Sequence, residues 1–178
     1  QEFEEKFTSL YENSRGLMWF LRETGMPVPH RFMNTAETAL NLQLQKMFSA
    51  EFIDVVKLTE LISEIRGWSV VVDKVALEFI VRKRLESAMS ELLCNPDNRV
   101  LSDELILLLE AIAELPIEVN LWQAQNVFWE ILQSSAADSQ LDLKKRTYSS
   151  AARIESLKKL GQLLYFNIEV AMTVKGTA

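Results

Sequence analysis

The chain has 178 residues, enough for one domain with a hydrophobic core or for two small domains. Apolar residues make up 48% and charged residues 25%, a balance typical of globular proteins. The low content of glycine (5) and proline (4) argues against collagenous, low-complexity and many-stranded all-β chains, because strand-rich folds use both residues in turns. The net charge of −6 is opposite in sign to the basic face that binds phosphates, so we expect no nucleic-acid partner.

The N-terminus is acidic and the helical period begins almost at once. Gln-Glu-Phe-Glu-Glu has no hydrophobic signal region and no initiator methionine, and the longest apolar runs are far shorter than the roughly 20 residues that a bilayer requires. Cys94 is the single cysteine, so no intramolecular disulfide is possible, which fits a reducing compartment. We therefore expect a cytoplasmic chain without a membrane partner. Residues 1–178 are predicted to form a single helical domain, a fragment of a longer protein.

Apolar residues recur at spacings of three, four or seven along nearly the whole chain, which predicts an all-α fold. The expected architecture is a helical bundle of about seven helices. Their approximate predicted bounds are 3–24, 35–48, 50–66, 70–93, 103–115, 121–135 and 148–174. The polar residues 134–143 are predicted to form a loop. The valines at 70–72 favour a strand by propensity, but the helical period that continues beyond them is expected to prevail.

Helix ends are predicted from cap residues and glycines. Gly25 is expected to occupy the position just after the first helix, and Gly67 to end the third. Gly16 lies inside the first helix, where a close helix crossing would explain it. Predicted N-caps, which include two capping-box patterns, are Asn34, Ser49, Ser69, Ser102 and Asn120.

Several catalytic and metal-binding motifs are absent from the sequence. His30 is the only histidine, which excludes H-E-x-x-H and other metal sites that need several histidines from one chain. No G-x-S-x-G, G-x-G-x-x-G or G-x-x-x-x-G-K-[ST] motif occurs. Carboxylates four apart, Glu60 with Glu64 and Glu110 with Glu114, are interpreted as solvated helix faces. No catalytic residue, metal site or cofactor is predicted.

One helix end combines an aromatic side chain with several polar groups. Trp19, Arg22, Glu23, His30 and Arg31 lie on either side of a stiff Pro27–Pro29 connector. Polar groups beside an apolar floor are typical of a small-molecule site, so these residues are the candidate ligand-binding set. The alternative is an ordinary helix terminus with a salt bridge between Glu23 and Arg31.

Four tryptophans could either fill the core or stack on sugar rings. They are Trp19, Trp68, Trp122 and Trp129. The last two are seven residues apart and therefore lie on one helix face. Core packing is the default interpretation of such a spacing.

Residues 10–41 contain the pattern L-R-E-x-G-x-P-V-P-x-x-F…A-E-x-x-L-N, from Leu21 to Phe32 and from Ala36 to Asn41. The pattern resembles the C-terminal helical domain of unknown function numbered 3536, which accompanies glycoside hydrolase family 57-like proteins. This resemblance implies a non-catalytic accessory domain of an α-glucan-processing protein. The catalytic carboxylates would lie on an upstream domain, and no residue of this chain matches them.

Two classes of partner follow from these hypotheses. An accessory domain would bind the upstream catalytic domain of its own chain, and carbohydrate is a possible ligand. The alternative is an independent helical module for protein–protein interaction or homodimerisation. Docking of a partner domain predicts an exposed apolar patch on the isolated chain.

Overall fold

The computed structural model describes the backbone of residues 2–50, 52–141 and 149–166, and the side chains of 2–50, 52–134 and 154–166. Seven helices and no strands lie within these residues, which confirms the predicted all-α bundle. None of the helices there is long and apolar enough to cross a membrane. The helices are α1 (Glu2–Glu23), α2 (His30–Ser49), α3 (Val55–Trp68), α4 (Lys74–Cys94), α5 (Arg99–Ala113), α6 (Trp122–Leu141) and α7 (Ser149–Leu163).

The chain divides into two compact units. Unit 1 comprises Gln1–Ile80 with Leu115–Ile117, and unit 2 comprises Val81–Glu114 with Glu118–Ala178. The single domain over residues 1–178 stays a prediction.

Unit 1 is built on α2, which packs along α1 and against α3. The side chains that α2 buries are spaced three or four apart, as the helical period predicts. Each large aliphatic side chain removed from water stabilises the fold by about 1.5–3 kcal/mol. The buried residues of α2 are Ala36, Ala39, Leu40, Leu44 and Phe48.

In unit 2, α5 packs against α7. The surface ion pair between Lys159 Nζ and Glu110 Oε1, 2.8 Å apart, joins the same two helices. The core side chains come from the apolar stripes of both helices, and include Leu105, Leu109, Ile112, Leu157 and Leu160.

The second helix begins earlier than predicted. It starts at His30, directly after Pro29, whose carbonyl accepts hydrogen bonds from the amides of Phe32 and Met33 at 2.9 and 3.3 Å. The ring of a proline fixes φ near the helical value and thereby favours helix initiation. Asn34 therefore lies inside α2, and its predicted role as N-cap is wrong.

Three predicted serine caps, at Ser49, Ser69 and Ser102, are also wrong. Ser69 instead follows the end of α3 in the left-handed conformation, with φ of 54°, and α3 runs past Gly67 to Trp68. The prediction at Asn120 is wrong by one residue: α6 begins at Trp122, the Leu121 carbonyl accepts the bond from the Gln125 amide at 2.8 Å, and the Asn120 side chain accepts from the Trp122 amide at 3.0 Å. Other side chains cap these helices in place of the serines. They are Asp54, Asp73 and Asn98, which accept hydrogen bonds from the backbone amides of Lys57, Ala76 and Leu101 at 3.2, 3.1 and 3.2 Å.

The connection between α3 and α4 is not helical, so the predicted helix start at residue 70 is wrong. Asn41 of α2 donates to the Val71 carbonyl at 2.9 Å and accepts from the Asp73 amide at 2.8 Å. Val72 is buried between these two bonded residues. The Asn41 side chain thus supplies hydrogen bonds that a helix would otherwise have supplied to this backbone. The valines have a low helix preference, so the segment stays non-helical.

The end of α6 differs from the prediction too. The helix runs to Leu141, so most of the predicted loop at 134–143 is helical. Residues 142–148 lie outside the described residues. The predicted part of α7 from residue 167 to 174 also lies outside them.

The two glycines of α1 have different roles. Gly25 follows the helix with φ of 71°, and its amide and that of Met26 bond the Arg22 and Leu21 carbonyls at 3.1 and 2.8 Å, as predicted for a helix end. At Gly16, no side chain and no other element of the described residues lies within 4 Å of the position that a Cβ would occupy. The close helix crossing predicted at Gly16 is therefore not found.

We expect Gly16→Ala to raise the free energy of unfolding by about 1 kcal/mol, because alanine is favoured over glycine inside helices and nothing opposes its methyl group. Gly25→Ala should have the opposite sign, since its left-handed backbone disfavours a Cβ. Thermal or urea unfolding of both variants tests this. A destabilised Gly16→Ala variant would show that a contact opposes the methyl group.

Asn41→Ala should lower the free energy of unfolding by about 1–3 kcal/mol, because two hydrogen bonds of roughly 0.5–1.5 kcal/mol each are lost. Asn34→Ala, on an exposed position of the same helix, is the matched control and should change stability little. Urea unfolding followed by circular dichroism compares them. Equal effects would contradict the structural role of Asn41.

Candidate functional site

Two of the predicted ligand residues meet in a cluster between α1 and α3. Arg22 lies over two indole rings, with its guanidinium carbon 5.3 Å from the Trp19 centroid and 5.5 Å from that of Trp68. The rings themselves are 4.7 Å apart. Arg22 also donates to the Gly67 carbonyl oxygen. Cation–π contacts of this kind contribute about 0.5–2 kcal/mol, so the cluster helps to hold α1 to α3.

The other three predicted ligand residues do not join this cluster. Glu23 ends α1, His30 begins α2, and both are exposed. Arg31 lies over the neighbouring Phe32 ring at 5.0 Å. The alternative salt bridge between Glu23 and Arg31 does not occur among the described residues. The ligand-binding role of the set stays a prediction.

A buried polar network lies beside the Trp19–Trp68 pair. The Tyr11 hydroxyl donates to Glu64, which also pairs with Arg15 at 2.6 Å between Nε and Oε1. Trp68 is 5% exposed, and its Nε1 has no well-formed hydrogen bond. This N–H lies near the Tyr11 hydroxyl, where it acts to lower the pKa of Tyr11. Burial first, and then the bond to Glu64, raise the pKa of Tyr11.

Sequence reasoning did not find this network. Tyr11 and Glu64 are 53 residues apart, so no local spacing connects them. The apolar period could place both helices, but it could not pair one polar side chain of each.

A surface cleft of about 470 Å³ lies next to the network in unit 1. Two of its cations are already paired, Arg15 with Glu64 and Lys57 with Asp54 at 3.0 Å. Three cations and three carboxylates balance one another, so the cleft favours neither anions nor cations. Its charged residues are Arg15, Lys46, Lys57, Asp54, Glu60 and Glu64.

No group of acidic, histidine or cysteine side chains in the described part of the chain is arranged to hold a metal ion. One carboxylate of the cleft, Asp54, has its pKa held below the usual range, first by the hydrogen bond that it accepts from the Lys57 backbone amide and then by the Lys57 side chain.

A row of exposed apolar side chains lies on the outer face of α1. Its apolar residues follow a heptad spacing, in which alternate steps of four and three keep one face in line. Phe3, Leu10 and Leu17 are 66%, 57% and 49% exposed, whereas α1 buries Tyr11 and Met18 on the adjacent face. We call this surface the α1 seam; it consists of Phe3, Phe7, Leu10, Ser14, Leu17 and Leu21.

The expected core packing of the tryptophans holds for only part of the set. Trp68 is buried, while Trp19 is 36% exposed. Trp122 and Trp129 are both exposed on α6, so their predicted place in the core is wrong. Ala124, Phe128 and Ile131 fill the buried side of α6 instead, because the helix turns its other face inward.

Comparison with protein-family models, curated proteins and solved structures gave no match to this chain.

We expect the free energy of unfolding to fall as the pH rises above about 10, the usual pKa of a tyrosine. There the unfolded phenol loses its proton while folded Tyr11 keeps it, so the unfolded state is favoured. Tyr11→Phe should reduce this slope and lower stability at neutral pH by about 2 kcal/mol, because a bond to a charged group is lost.

The measurement is urea unfolding between pH 7 and pH 11. Tyr165→Phe is the control, since this tyrosine is 83% exposed. A Tyr11→Phe variant with the wild-type slope would rule out the assigned role of the buried phenol.

Proposed function

We propose that the chain is a non-catalytic helical docking module that packs against another folded protein domain through the α1 seam. The observation behind this proposal is the exposure of three large apolar side chains, Phe3, Leu10 and Leu17, in one row. Exposed apolar patches of this kind are typical of interaction sites.

The pattern of the seam favours a helix as the surface that binds it. Five of its six positions are apolar, and their heptad spacing is that of a helix whose side chains interdigitate with those of a second helix. Phe3, Leu10 and Leu17 are about half exposed or more, so the burial of each would contribute roughly 1 kcal/mol.

The charge of α1 favours a partner other than a second copy of the chain. The exposed charged residues of the helix are five glutamates and three cations, a net charge of −2: Glu2, Glu4, Glu5, Glu12, Glu23, Lys6, Arg15 and Arg22. Two of the cations are already paired, Lys6 with Glu2 at 2.8 Å and Arg15 with Glu64 at 2.6 Å. A basic surface on a different partner would be attracted to this helix, whereas a second copy of it would not.

The sequence resemblance supports one identity for this partner. We propose a glycoside hydrolase family 57-like catalytic domain, which would make the chain an accessory domain of a cytoplasmic α-glucan-processing protein. The absence of catalytic motifs from the sequence agrees with an accessory role. Any carbohydrate contact at the end of α1 would use the predicted ligand set, Trp19, Arg22, Glu23, His30 and Arg31.

Photo-crosslinking tests the docking proposal in the cell that makes the protein. Benzoylphenylalanine placed at Leu10 or at Leu17 should crosslink to one segment of one partner domain, which mass spectrometry identifies. The same group at Glu12, on the polar side of α1, is the control and should not crosslink to that segment.

The outcomes separate the alternatives. A crosslinked peptide from a family 57-like domain supports the accessory role. Crosslinking of α1 to α1 of a second copy would replace it by homodimerisation. Yields at Leu10 and Leu17 no higher than at Glu12 would contradict docking through the seam.

A further inference from the structure

The solvent face of α6 carries two tryptophans separated by amide side chains. Trp122 is 66% and Trp129 39% exposed, and Asn126 and Gln133 are exposed on the same side of the helix. The four residues follow one another at steps of four, three and four, which keeps them on one helix face. We call them the aromatic–amide strip.

Part of the strip is fixed in place by the end of α7. The Trp129 ring is stacked on Phe166, with 6.4 Å between centroids and 13° between planes, and Phe166 contacts the buried Phe128 edge-on at 5.5 Å. The Gln125 amide donates to the Leu164 carbonyl at 2.9 Å. These contacts restrict the Trp129 ring before any ligand arrives, which lowers the entropy cost of binding.

The lack of charge on the aromatic–amide strip limits the class of ligand that it can bind. Glu130 is the only charged residue among positions 122–134, whose side chains are described. Single-stranded nucleic acids also stack on aromatic rings, but they need cations along the groove for their phosphates. The aromatic–amide strip has no cationic side chain and lies beside one carboxylate, so it does not supply these cations.

A sugar ring offers the matching chemistry. One face of the ring presents C–H groups, which pack on an indole, and its edge presents hydroxyls, which both donate to and accept from an amide. The two tryptophans are seven residues apart, which corresponds to about 10 Å along a helix and is close to the length of a disaccharide unit.

We infer that the aromatic–amide strip binds a neutral oligosaccharide. Trp122 and Trp129 each stack on a sugar ring, with one further sugar between them, while Asn126 and Gln133 bond hydroxyl groups. The ligand is therefore at least a trisaccharide. This inference uses α6 alone and does not depend on the α1 seam or on the predicted set around Trp19.

An NMR titration of the intact chain tests the inference with three sugars: maltohexaose, cellohexaose and glucose. The indole N–H signals of Trp122 and Trp129 should shift together and saturate with at least one hexasaccharide, and glucose should bind far more weakly. Trp122→Ala should raise the dissociation constant about fivefold or more, because one stacking contact is lost.

Two variants control for folding and location. Trp122→Phe keeps an aromatic ring and should bind with intermediate affinity, and circular dichroism checks that both Trp122 variants are folded. Phe52→Ala removes an aromatic side chain of unit 1 that is 70% exposed and should leave the affinity unchanged.

Three results would overturn the inference. One is the absence of saturable shifts with both hexasaccharides. Another is an unchanged dissociation constant in folded Trp122→Ala. The third is stronger shifts at Trp122 with oligouridylate than with either sugar, which would indicate nucleic acid. None of them would affect docking through α1, which is tested by crosslinking at other residues.

Discussion

The arrangement of unit 1 depends on the hydrogen bond between Tyr11 and Glu64. It joins α1 to α3 in the interior, where an unpaired hydroxyl or carboxylate would be costly. Arg15 balances the carboxylate from the surface side, and Arg22 adds a second connection between the same helices through Trp68. Because these polar and aromatic contacts fix the rotation of α1, they also determine which of its faces stays in water.

That fixed rotation explains why α1 can expose a row of apolar side chains. The helix has two adjacent apolar faces, and only the one that carries Tyr11 and Met18 is buried within the described residues. The other face stays exposed, and it is the face that we propose for docking. The proposed docking would therefore use a different side of α1 from the one that stabilises the fold.

Periodicity predicted the number and order of the helices because their buried side chains repeat at the helical spacing. It could not choose between the two apolar faces of α1, nor show that α6 turns its tryptophans outward, since both decisions depend on partners distant in sequence. The wrong predictions of serine N-caps have a local cause. Asp and Asn side chains upstream or downstream of each serine bond the first-turn amides instead. For the candidate site, the i,i+3 pair of Trp19 and Arg22 was predictable, but Trp68 and Glu64 were not.

The tryptophans are distributed evenly between the units: Trp19 and Trp68 lie in unit 1, and Trp122 and Trp129 in unit 2. The rings of Trp19 and Trp68, 4.7 Å apart and tilted by 51°, should couple electronically and give a circular dichroism couplet that arises in unit 1. Solvent-exposed Trp122 should emit at longer wavelength than buried Trp68. The protein therefore contains its own reporters of cooperativity: a common unfolding midpoint for both signals means one cooperative domain, and separate midpoints mean two.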